Sequence, residues 1–100
     1  MKKILLVCNA GMSTSILVKK MQQEAEKQGL DVQVEAKSLT EAKKNFGDTD
    51  IILLGPQIRY ELNNVKKMAG SIPVEAINMQ DYGMMDGKKV LAGALKIIGE

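Results

Sequence analysis

Cys8 is the only cysteine in the chain, and it stands where the apolar run Ile4-Leu5-Leu6-Val7 gives way to Asn9-Ala10-Gly11-Met12-Ser13-Thr14-Ser15. Small residues and a glycine let successive backbone N–H groups turn inward around an anion. A helix that begins after such a loop adds the N–H groups of its first turn and the positive end of its dipole. Ser13, Thr14 and Ser15 supply three hydroxyls that can cap that helix or touch a phosphate oxygen. Surroundings of this kind favour the thiolate, the nucleophilic form of cysteine. Cys8 is therefore a candidate to accept a phosphoryl group on sulfur, with Asn9, Ala10, Gly11, Met12, Ser13, Thr14 and Ser15 as the phosphate cradle. The plainer alternative is a cysteine that only packs at a strand end. The glycine, the hydroxyls and the placement of the loop favour the phosphate reading.

The rest of the composition removes other chemistries. The chain has no histidine, so no Ser–His or Cys–His pair can form within it. A lone cysteine makes no internal disulfide, and no Cys/His cluster is present for zinc, so neither metal nor cofactor is expected. A thiol that must stay reduced points to the cytoplasm. Fourteen basic residues against twelve acidic ones give a net charge of +2, with the lysines scattered. Together with only two Tyr and one Phe, this argues against nucleic-acid binding. No apolar run approaches the roughly 20 residues that a membrane helix needs, so no membrane insertion is expected. Met1-Lys2-Lys3 and the apolar run after it resemble the start of a signal peptide, but the run is too short and lacks a cleavage site. One hundred residues, 45% of them hydrophobic, suit a single domain over 1–100 with one sheet.

The elements that must position Cys8 follow from periodicity. Ile4–Val7 and Ile51–Leu54 are continuous aliphatic runs, the pattern of strands buried on both faces of a parallel sheet. Between them, Leu17, Met21 and Ala25, with Ile16 alongside, form one helical stripe, with Ser13 or Thr14 as the expected N-cap and Gly29 as the C-cap. Asp31–Lys37 alternates, with Val32, Val34 and Ala36 on one face, as an edge strand does. Ser38 or Thr40 can cap a short helix that ends near Gly47. Gly55-Pro56-Gln57 breaks the second buried strand, and residues 58–68 have a helical pattern ending at Gly70. A shorter strand, Pro73–Ile77, follows. The segment 78–85 reads as a loop with one helical turn at most. Asp86 caps a last helix whose stripe is Val90, Leu91, Ala94, Leu95 and Ile98.

This alternation predicts an α/β fold with a four-stranded parallel sheet, right-handed crossovers and helices on both faces. Placing the two most apolar strands centrally gives the order 2-1-3-4, with the switch point between strands one and three. Ligands in such folds bind beyond the carboxyl ends of the strands at that point. The loops there are residues 8–15 and 55–58, with 78–86 nearby.

Further residues carry two readings each. Gln57 could hydrogen-bond the cysteine loop or be only part of a turn into a helix, and Tyr82, like Gln57, could stand behind the loop. Asp81 could protonate a leaving group, but it would also repel phosphate, and a cap or surface role suits it better. Met21 and Met68 read as core residues; Met12, Met84 and Met85 could face a partner protein. Lys19, Lys20, Lys66, Lys67, Lys88 and Lys89 read as solvated helix faces.

The loop also invites comparison with the tyrosine phosphatases, whose signature is Cys, five residues, Arg, then Ser or Thr. Thr14 and Ser15 occupy the last two places here, so the spacing resembles that of the small phosphatases but the arginine is missing. That guanidinium clamps the transferring phosphoryl group and stabilises its charge. A cradle without it suits a carrier better than a hydrolase. The segment Ile4–Val18, then Leu53-Leu54-Gly55-Pro56-Gln57-Ile58 with Tyr60, then Pro73-Val74-Glu75, Ile77, Tyr82-Gly83, Asp86-Gly87 and Val90-Leu91 resemble enzyme IIB of the lactose/cellobiose class of bacterial sugar phosphotransferase systems.

The resemblance runs over essentially the whole chain, and it implies a transferase. Its cysteine takes a phosphoryl group from a phosphohistidine on a IIA protein and passes it to a sugar entering through a membrane IIC transporter. It implies Cys8 as the phosphocysteine, the loop 9–15 as its cradle, and a β-linked disaccharide such as cellobiose or chitobiose over lactose. The missing histidine fits, because the donor imidazole belongs to the partner. Asn9 departs from a more usual small residue, and Arg59 looks variable; neither touches this mechanism. The alternatives are a cysteine-dependent phosphatase or a phosphate-binding module. A receiver domain would need an acidic residue where Leu54-Gly55 stands, a flavin site more aromatic residues, and a reductase a second cysteine.

Overall fold

The computed structural model describes residues 2–8, 12–44, 46–47 and 49–99, with backbone alone at 12–14. The two aliphatic runs become the centre of a parallel sheet. Strand β1 (Lys2–Cys8) lies between β2 (Val32–Ser38) and β3 (Ile51–Leu54), and β4 (Val74–Ala76) flanks β3, giving the order β2-β1-β3-β4. Ile4 pairs in register with Val34 on one side and Ile51 on the other, and all pairings are parallel. At the start of β1 the Lys3 N–H donates to the Asp50 carboxylate at 2.8 Å, and the Asp50 N–H donates to the Lys3 carbonyl at 2.9 Å. This pair closes the entry to β3 and fixes its register on β1.

Alternation along β1 and β3 sends side chains to two separate cores. Ile4, Leu6, Ile51 and Leu53 meet helices α1 (Met12–Lys27) and α5 (Gly87–Ile97) on one face. Leu5, Val7, Ile52 and Leu54 meet α2 (Leu39–Lys44) and α3 (Leu62–Ala69) on the other, with Ala42, Ile58 and Val65 as the inward residues. Both central strands are thus buried on both faces, as their unbroken apolar runs require. The stripe of α1 is Leu17, Met21 and Ala25, none of them exposed at all, whereas Ile16, expected beside it, is 54% exposed. The edge of β2 is blunted by the same helix: the Gln22 amide donates to the Val32 carbonyl, and its oxygen accepts from the Val34 N–H, both at 3.0 Å. These bonds satisfy backbone groups that an edge strand would leave open.

Caps agree with the sequence at three places. The Ser38 hydroxyl accepts from the Glu41 N–H at 3.3 Å at the head of α2. The Asp86 carboxylate accepts from the Lys89 N–H at 3.1 Å at the head of α5. Gly29 leaves α1 at φ +71°, the left-handed conformation that a glycine C-cap adopts.

Three expectations need correction. Helix α1 begins at Met12, so Ser13 and Thr14 lie inside its first turn rather than at the N-cap. The segment 58–68 is not one helix: Pro56–Glu61 is a 3-10 turn with Ile58 out of helical geometry at φ −122°, and α3 starts only at Leu62. Met68 is 42% exposed rather than core, because the inward stripe of α3 runs through Leu62, Val65 and Ala69. Met21 is fully buried as expected. The single turn allowed for 78–85 exists as α4 (Met79–Gly83), whose cap is Asn78; its side-chain oxygen accepts from the N–H groups of Gln80 and Asp81.

Candidate functional site

Cys8 is the last residue of β1, opposite Ser38 in register, and is 2% exposed. The backbone after β3 stays beside it. The Gly55 N–H donates to the Val7 carbonyl, and the Ile77 N–H after β4 donates to the Leu54 carbonyl, each at 2.8 Å. The carboxyl ends of β1, β3 and β4 are therefore held side by side, with Cys8 at the junction of β1 and β3. This is where the strand order reverses direction along the chain, the place where open α/β sheets bind ligands.

Only residues 9–11 separate Cys8 from the start of α1 at Met12. Its first turn, Met12 to Ser15, carries no acidic residue that would offset the positive dipole end. Of the cradle expected from the sequence, Asn9, Ala10 and Gly11 lie outside the described residues. Met12, Ser13 and Thr14 contribute the helical backbone of that first turn, and Ser15 is exposed.

Gly55 explains why a residue without a side chain stands beside the thiol. A Cβ there would lie 3.3 Å from the Cys8 Cβ and 2.9 Å from the Gln57 Oε1. Gly55 itself is buried and Gln57 is exposed, so the Gln57 carboxamide lies over Gly55 on the solvent side. Sequence reasoning named Gln57 but not Gly55. The available signal was a glycine directly after a strand buried on both faces, which often marks close approach of backbone or ligand.

Tyr82 is 7% exposed and packs into the α1/α5 core, while also lining a groove of about 280 Å³ with Pro56, Gln57, Met79 and Gly83. Gln57 and Tyr82 thus share one groove on the Cys8 side of the sheet end. Asp81 does not join them. It lines a different cavity, of about 150 Å³, with Glu75, Asn78 and Lys89 beside the outer edge of β4. Met79 and Met84 are each 63% exposed, whereas Met85 packs against the core. All six lysines read as helix faces are exposed. Among the described residues no group of three acidic, Cys or His side chains could hold a metal ion, and no helix is long and apolar enough to cross a membrane.

The chain is thus an α/β protein whose first parallel strand ends in a cysteine, with three residues between it and a helix N-terminus. Comparison with known proteins gives the family. The family model described as PTS system, lactose/cellobiose-specific IIB subunit matches residues 3–93. The chain is 46% identical to the PTS system galactose-specific EIIB component of Lactococcus lactis subsp. cremoris, with 93% of each chain covered. It is 46% identical, at the same coverage, to the cellobiose-specific EIIB component of Lactococcus lactis subsp. lactis. It is 42% identical to the oligo-beta-mannoside-specific EIIB component of Bacillus subtilis, with 98% of this chain and 97% of that one covered.

Among solved structures, a cellobiose-specific phosphotransferase IIB component from Borrelia burgdorferi superposes with a TM-score of 0.76 at 39% identity, covering 95% of this chain and 89% of that one. The lactose-specific IIB domain from Streptococcus pneumoniae has the same fold, with a TM-score of 0.86 at 21% identity and 95% of each chain covered. This chain belongs to the lactose/cellobiose-specific IIB family of the sugar phosphotransferase system, and is therefore a sugar phosphotransferase component.

Proposed function

We propose that residues 1–100 act as one IIB domain on the cytoplasmic side of the membrane, with Cys8 as the phosphoryl carrier between a IIA protein and a sugar held by a membrane IIC transporter. In the first step the Cys8 sulfur attacks the phosphorus of a phosphohistidine on IIA. The S–P bond forms as the N–P bond breaks, and the imidazole leaves. In the second step a sugar hydroxyl attacks the same phosphorus; the P–O bond forms, the S–P bond breaks and the thiolate is regenerated. The hydroxyl proton must pass to a base outside this chain's histidines, since it has none.

The N–H groups along 9–15 and the positive end of α1 stabilise the charge on the phosphoryl oxygens in both steps. The absence of an arginine at Thr14 keeps water from displacing the group quickly. The observation that carries this reading is the position of Cys8, at the carboxyl end of the central strand and directly before the acid-free first turn of α1. The sugar is proposed to be a β-linked disaccharide of the cellobiose or chitobiose type, with lactose less favoured. Two relatives, named as cellobiose-specific and oligo-beta-mannoside-specific, support a β-linked sugar; the galactose-specific one carries no linkage information.

The test is a reconstituted relay of phosphoenolpyruvate, the general phosphotransfer proteins, the cognate IIA and vesicles carrying IIC. Wild-type protein should yield sugar phosphate from cellobiose or chitobiose, and Cys8→Ala should yield none. Sugar phosphate formed equally by the variant would remove Cys8 from the pathway.

A further inference from the structure

We propose that Gln57 holds the phosphoryl group on Cys8, its side-chain N–H donating to a phosphoryl oxygen from the β3 side of the site. This rests on Cys8 being the carrier. The argument is geometric. The vacant Cβ position of Gly55 lies 2.9 Å from the Gln57 Oε1 and 3.3 Å from the Cys8 Cβ, so the two side chains are no farther apart than those two distances laid end to end. A phosphoryl oxygen on Cys8 lies three bonds beyond Cβ, a comparable reach. Rotation of the terminal amide by about half a turn exchanges Oε1 for Nε2, which can then donate to an anion.

Among the described residues the Gln57 side chain has no hydrogen-bond partner. Its backbone, by contrast, is fixed. It sits in a 3-10 turn opened by Pro56, and the Ile58 N–H of that turn donates to the Gly55 carbonyl at 3.0 Å. A polar side chain on a rigid turn, kept beside the thiol by a glycine that leaves the intervening space empty, is the arrangement expected of a ligand contact. The first turn of α1 approaches the group from one side and Gln57 from the β3 side. Gln57 also borders the groove lined by Met79, Tyr82 and Gly83.

The experiment compares wild type, Gln57→Ala and Gln57→Glu, each charged from phosphorylated cognate IIA. Intact mass follows the rate of charging, and phosphorus NMR reports the environment of the S-bound phosphoryl group and its second protonation. Gln57 is exposed, so both variants should fold, which circular dichroism checks. Gln57→Ala should slow charging by about tenfold and Gln57→Glu by about a hundredfold, the range for losing one hydrogen bond to a charged group and then adding a like charge. The phosphorus resonance should move in both, and in Gln57→Glu its protonation should shift to higher pH. If Gln57→Glu charges within about twofold of wild type with an unmoved resonance, the assignment of Gln57 is wrong while Cys8 stands. If wild type itself gains no phosphoryl group on Cys8, the carrier reading fails and this assignment falls with it.

Discussion

Among the described glycines Gly87 should be the least replaceable, and Gly93, six positions on in the same helix, should be improvable. A Cβ at Gly87 would lie 2.8 Å from the carbonyl carbon and the Cβ of Lys20 and from the nitrogen of Met21. Two of these three are backbone atoms of α1, and the neighbouring side chain of Met21 is fully buried. No rotamer change relieves the contact, so α5 must back away from α1. Overpacking of this kind costs about 1–3 kcal/mol, offset by less than about 1 kcal/mol of helix propensity gained over glycine. At Gly93 a Cβ meets nothing within 4 Å, so the propensity gain of about 0.5–1 kcal/mol is uncompensated.

For a domain of this size 1 kcal/mol moves Tm by about 4–8 °C. Gly87→Ala should therefore lower Tm by about 5–15 °C, and Gly93→Ala should raise it by about 2–8 °C, followed by far-ultraviolet circular dichroism during a thermal ramp. A Gly87→Ala protein as stable as wild type would refute the close α1–α5 contact. Because α1 begins three residues after the end of the Cys8 strand, the same variant should also charge more slowly from IIA.

Two further outcomes follow from the same geometry. Gly55→Ala places a methyl group against the Cys8 Cβ and displaces the Gln57 carboxamide, so charging from phosphorylated IIA should slow by about tenfold with a stability loss under about 2 kcal/mol, measured by intact mass and urea melts. Asp86→Ala removes the side-chain acceptor for the Lys89 N–H and should cost about 1 kcal/mol in urea unfolding, with charging unchanged; Asp86→Asn should retain most of the cap.

Much of this was legible in the residues, for identifiable reasons. Continuous aliphatic runs at 4–7 and 51–54 can only be satisfied with both faces covered, and that alone places them centrally and yields the order β2-β1-β3-β4. Cys8 at the switch point follows from that order, as does the nearness of the 55–57 turn to the end of β1. The caps at Ser38 and Asp86 were readable because a short polar side chain precedes each helix. The start of α1 was misplaced because Ser13 and Thr14 are good caps by type, whereas the chain enters the helix at Met12. The break near Ile58 was hidden because Ile58, Leu62 and Val65 keep helical spacing across a turn that Pro56 opens and that is not α-helical. The role of Gly55 rests on a distance to the neighbouring strand; a glycine directly after a doubly buried strand signals close approach without naming what approaches.

The most direct test of the central claim is the intact mass of the protein after incubation with phosphorylated cognate IIA, with peptide mapping of the modified residue. The account predicts a gain of one phosphoryl group, mapped to Cys8, absent in Cys8→Ser and discharged on adding IIC vesicles with sugar. A charged IIA that transfers nothing, or a phosphoryl group that maps to any residue other than Cys8, would contradict it.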